Sequence, residues 1–74
     1  MDIVKISFSP NGFITVEEKD LKTIFLGFKP DLINYQLQII NSLKKEFEKN
    51  SFSKKLDNID LTNPDKPKIK VFKP

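Results

Sequence analysis

A small two-layer α+β domain is the fold class this chain predicts. Its elements run β-β-β-α-β, with a mainly antiparallel sheet covered on one face by a single helix at about residues 31–49. Three observations predict it. Residues 3 to 8 and 13 to 18 alternate apolar and polar on either side of Ser9-Pro10-Asn11-Gly12, the period-two pattern of half-buried strands joined by a tight turn. Residues 32 to 49 space their apolar side chains three and four apart, the pattern of an amphipathic helix. Residues 68 to 73 alternate once more.

The first strand, Ile3-Val4-Lys5-Ile6-Ser7-Phe8, places Val4, Ile6 and Phe8 on one face. Pro10 suits the second position of the turn that follows, and Gly12 accepts a left-handed backbone at its end. The return strand, 13 to 18, adds Ile14 and Val16 to the same face. Its adjacent acids Glu17 and Glu18 point to opposite sides and cannot act as a pair. Lys19-Asp20 is a short polar break. Residues 21 to 28 then alternate Ile24, Leu26 and Phe28 against Leu21, Thr23 and Phe25. Their β-branched and aromatic content favours a third strand over a helix.

Asp31 is placed to cap the helix. Leu32, Ile33, Leu37, Ile39, Ile40, Leu43 and Phe47 form its apolar stripe, opposite Asn34, Gln38, Asn41, Ser42, Lys45 and Lys49. Lys44, Lys45 and Lys49 suit the negative end of the helix dipole, and Tyr35 borders the stripe with its hydroxyl in water. Beyond the helix, Phe52, Leu56 and Ile59 have helical spacing, so Ser53 to Asn58 reads as a short helical turn. Asn63-Pro64-Asp65 reads as a loop. In the last strand, Lys68-Ile69-Lys70-Val71-Phe72-Lys73, the lysines and flanking prolines suit a sheet edge.

Composition narrows the function. The chain lacks Ala, Arg, Cys, His and Trp altogether. Without imidazole or thiol, the usual proton-transfer and nucleophilic residues are missing, and no imidazole or thiolate ligand is available to a transition metal. Asp57, Asp60 and Asp65 fail the spacing of a calcium loop, and Gly12 and Gly27 cannot build a phosphate cradle. The expectation is one domain over residues 1–74, no enzyme activity, no catalytic residues, no cofactor and no metal. The first residues have no signal-peptide pattern, and the longest apolar run, Ile24 to Phe28, is too short to span a bilayer. A cytoplasmic protein with no membrane partner is therefore expected.

The net charge of +3 comes from lysine alone. By strict alternation, the sheet face away from the helix presents Ile3, Lys5, Phe13, Thr15, Leu21, Thr23, Phe25, Lys68, Lys70 and Phe72. Such a surface has three readings. It binds a protein, because exposed apolar patches mark interaction sites. It stacks the bases of single-stranded nucleic acid on its aromatics, a reading weakened by the modest charge. Or residues 51 to 61 fold over it as a second small core. The favoured reading is a non-enzymatic module binding a protein with an acidic surface. Phe13, Phe25 and Phe72 would be its anchors, and Lys68 and Lys70 its rim. Size and composition fit a stoichiometric inhibitor or adaptor of the kind that mobile genetic elements encode. A homodimer is a further option, since the third strand is apolar on both faces.

Overall fold

The computed structural model describes residues 2–50 and 56–72. Its elements are β1 (Ile3–Phe8), β2 (Ile14–Glu18), β3 (Lys22–Gly27), a 3-10 turn (Pro30–Leu32), α1 (Ile33–Asn50), β4 (Leu56–Asp60) and β5 (Lys68–Val71). The small α+β architecture and the single helix agree with the sequence, but the sheet has five strands. They lie in the order β1-β2-β3-β4-β5. The pairs are antiparallel except β3–β4, which is parallel.

That parallel pair explains the helix. Two parallel neighbours cannot be joined by a hairpin, so the chain must cross over one face of the sheet to return. Here α1 is the crossover and lies between β3 and β4 in sequence. The core it closes consists of Ile14, Val16, Leu21, Ile24, Leu26, Leu56, Ile59 and Leu61 against Ile40 and Phe47, with Ile33, Leu37, Ile39 and Leu43 packed around it. The polar face of the helix is exposed as its pattern requires. No Asp31 cap forms: Lys29 occupies the position before the 3-10 turn and makes no side-chain cap, while Asp31 lies within the first turn.

The strand β4 replaces the expected helical turn; Phe52 and Ser53–Lys55 lie outside the described residues. The register shifts between Leu56 and Asn58, and this bulge lets Leu56 and Ile59, three apart, both point under the helix. A bulge thus imitated helical spacing. Leu56, Ile59 and Leu61 are fully buried in the helix-side core, so they do not cover the opposite face.

Two further corrections have backbone causes. Phe28 was expected under the helix and Leu21 on the open face; the structure exchanges them. Ile14 pairs with Gly27 and Thr15 with Phe25, so Leu26 is an extra residue and Phe28 returns to the side of Phe25. Gly27 allows this with a φ of +93°. At the other end of β3, Lys22 takes a φ of +65°, and Leu21 turns into the core with no exposure.

The helix also shields less than expected. Five strands span about 19 Å, at about 4.8 Å between neighbours, whereas a helix with side chains is about 10 Å wide. Every buried strand residue lies on β2, β3 or β4, while Val4, Ile6, Phe8, Ile69 and Val71 remain exposed on the outer strands.

Candidate functional site

The register maps the open face residue by residue. Ser7, Thr15, Phe25, Asp60 and Lys68 form one row across the five strands. Lys5, Glu17, Thr23, Asn58 and Lys70 form the next. Two of the lysines therefore stand beside carboxylates: Lys5 opposite Glu17, and Lys68 opposite Asp60. Hydrogen bonds from the Thr62 hydroxyl and Thr62 N–H hold the Asp60 carboxyl below its ordinary pKa, with the Lys68 charge assisting. The three lysines of these rows outnumber the two acids, so the face is mildly positive.

At one end of the face three rings meet. Phe13 lies 6.1 Å from Phe25, tilted, and 5.1 Å from Phe28, edge to face, both favourable aromatic geometries. Phe13 and Phe25 are half-buried, and Phe28 is 59% exposed. The turn that positions Phe13 is tightly tied. Gly12 N–H donates to Ser9 O at 2.8 Å, Ser9 N–H donates to Phe13 O at 2.9 Å, and the Ser9 hydroxyl bonds Asn11.

Of the five expected contact residues, the structure brings Phe13 and Phe25 together. Lys68 lies in the Phe25 row two strands away, about 10 Å. Lys70 is two residues further along β5. Phe72 is exposed too, but four residues beyond Lys68, about 13 Å along the strand direction, at the opposite end. Phe28 is the member that alternation missed. The signal available was Gly27 itself, since a glycine inside a strand pattern marks a bulge.

Two polar clusters lie away from this surface. Glu18 is buried and accepts the N–H groups of Asp2, Asp20 and Leu21 together with the Lys44 ammonium. Burial alone would raise its pKa, but the Lys44 contact and the three backbone donors overcome this and hold it at about 2. Lys44 is raised in turn, first by Glu18, and also reaches Asp2 at 3.3 Å and Asp20 at 3.5 Å. Gln36 Nε2 donates to Leu26 O at 2.8 Å and Leu61 O at 2.9 Å, tying the ends of β3 and β4 together. Both clusters join elements of the fold. The acids near residue 60 serve turn geometry: Asn63 accepts from Asp65 N–H, and Asp65 accepts from the Tyr35 hydroxyl at 2.9 Å.

Among the described residues no group of acids is placed to hold a metal ion, and no helix is long and apolar enough to cross a membrane. Comparison with models of known families, with curated proteins and with solved structures finds no match.

Proposed function

We propose that the protein is a non-enzymatic module of the cytoplasm that captures a protein partner through the open face of its sheet. One observation carries this reading. Phe13, Phe25 and Phe28 form a contacting cluster on that face, and Phe28 at its outer side is 59% exposed. Inward packing alone gives no reason to hold such a ring in water, because burying a phenylalanine fully is worth about 1.5–3 kcal/mol. A ring held edge to face by Phe13, which itself packs on Phe25, is already oriented for a partner's pocket, so little freedom is lost on docking.

Lys68 and Lys70 supply a positive flank that favours an acidic partner and speeds encounter. A stoichiometric inhibitor or adaptor acts in this way, by occupying a surface. The mixed charge of the face argues against nucleic acid: Glu17 and Asp60 lie within the two rows a phosphate backbone would follow, and each would repel it.

Capture from a lysate of the native host tests the reading, with the tagged protein and its Phe28→Asp and Lys68→Glu variants compared. Both positions are exposed, so far-UV circular dichroism should be unchanged. The expected result is a stoichiometric protein partner that Phe28→Asp fails to retain and that Lys68→Glu binds more slowly. Retention by both variants would refute the surface. So would tight binding of single-stranded oligonucleotides that weakens log-linearly with salt.

A further inference from the structure

The two edges of the sheet are built differently. On β5 the exposed Lys68 and Lys70 alternate along a short strand preceded by Pro67, the usual protection against pairing with another chain. On β1 six residues carry one lysine and no proline. Lys5 stands opposite Glu17 in the register of the strand pair. Val4 is 70%, Ile6 48% and Phe8 66% exposed. We propose that β1 is a self-association edge, through which two copies pair antiparallel and join their sheets into one continuous ten-stranded layer.

Backbone alternation defines the register. Ser9 N–H donates to Phe13 O, so the N–H and C=O of Ser7 and Lys5 also point inward to β2, and those of Ile6 and Phe8 point out of the sheet. A two-fold pairing must match outward groups with outward groups. Centred on Lys5, it would set two lysines face to face, which is unfavourable. Centred on Ser7, only residues 6 to 8 of each strand overlap. Centred on Ile6, the regular stretch of the strand pairs, Ile6 with Ile6 and Lys5 with Ser7, and Phe8 falls opposite the bulge at Val4. No like charges meet.

The same register accounts for the uncovered flank. Ile6 and Phe8 lie on the helix side of the sheet, beyond the reach of α1. In the pair, these residues from both copies form one apolar strip between two helices. Together with the partly exposed Ile3, they offer on the order of 300 Å² of largely apolar surface per protomer, against about 800 Å² per partner in a standard interface. That area suits a dimer forming at micromolar concentration. A second copy is favoured over a foreign strand because β1 is complementary to itself in this register and its one charged residue, Lys5, faces Glu17 of its own sheet. The aromatic face stays free in the dimer, so this inference and the proposed function stand or fall separately.

Sedimentation over a concentration series tests the association. The native protein should rise toward twice its 8.6 kDa protomer mass, and Ile6→Lys, which sets two charges on the two-fold axis, should weaken the dimer at least about tenfold. Cross-linking tests the edge independently of that variant's folding, because the chain has no cysteine of its own. Opposed residues here have Cα atoms about 5.5 Å apart, within disulfide reach. Ile6→Cys should therefore form disulfide dimers on mild oxidation, and Lys70→Cys should not. A protein that stays monomeric at high micromolar concentration would overturn the proposal. Cross-linking through Lys70→Cys but not Ile6→Cys, or strand pairing only with a foreign protein, would do the same.

Discussion

Glu18 and Lys44 show how a charge can be legible in one respect and hidden in another. Lys44 reads from sequence as a favourable charge near a helix end. It also falls at the 33-37-40-44-47 spacing of the buried stripe, and that second signal is the one the structure follows: Lys44 is 7% and Glu18 3% exposed. The carboxylate is the centre of the cluster, since it meets three backbone N–H groups as well as the ammonium. Removing one partner of a buried pair typically costs about 3–5 kcal/mol. Glu18→Ala should reach the lower end of that range, because three backbone donors lose their acceptor and Lys44 keeps only the more exposed Asp2 and Asp20. Lys44→Met should cost less, because the carboxylate keeps its donors. Urea midpoints would show the order. The pH dependence follows in sign. Glu18 titrates at about 2 when folded and near its ordinary 4.5 when unfolded, so below 4.5 the unfolded chain takes up the proton first. The stability from this group is complete above pH 4.5 and is lost as pH falls toward 2. Lys44 is raised, so its contribution persists through neutral pH and is lost only in strong base. Urea midpoints measured between pH 5 and about 2 should fall steeply in the native protein and less so in Glu18→Gln.

Elements with regular periods were readable; those broken by bulges were not. The hairpin of β1 and β2 and the helix follow from alternation, turn residues and the apolar stripe, except that a bulge at the start of β1 sets Ile3, expected on the open face, opposite the buried Glu18. In β4, Asp57, Asn58 and Asp60 are poor strand formers, and the bulge near Asp57 destroyed the period, so the central strand of a parallel pair resembled a helical turn. The same effect misplaced Phe28 and left half of the aromatic cluster's logic unseen, although Phe13 and Phe25 were identified. Gly27 controls that outcome. An added methyl would meet a φ of +93° and stand 3.1 Å from Thr62 Cγ2, whereas at Gly12, with φ +90°, nothing lies within 4 Å. Both alanine variants carry the conformational cost of a positive φ, about 1–2 kcal/mol. Gly27→Ala should be the more destabilising, by thermal or urea unfolding, because Thr62 and the bulge must also shift. Its Phe28 ring should lose the edge-to-face contact with Phe13, visible as a changed ring-current shift in proton NMR.

For the whole molecule, the consequence of one helix over five strands is a stability that falls from the centre outward. Ile24 and Ile59 are neighbours across the parallel pair β3–β4 and are fully buried. Their strands are also paired on both sides, so their amides should open only with global unfolding. β1 and β5 each have one neighbour and exposed apolar side chains, so little burial opposes their local release. Hydrogen exchange on dilute protein should then show graded protection: highest in β3 and β4, lower in β2, and lowest in β1 and β5. Within β1 the pattern should alternate, with Lys5 and Ser7 slower than Ile6 and Phe8, because only the first two point their N–H groups inward. Raising the protein concentration should slow Ile6 and Phe8 selectively if β1 pairs with a second copy. Uniform protection across all five strands would mean that the outer strands are held by something other than the helix-side core.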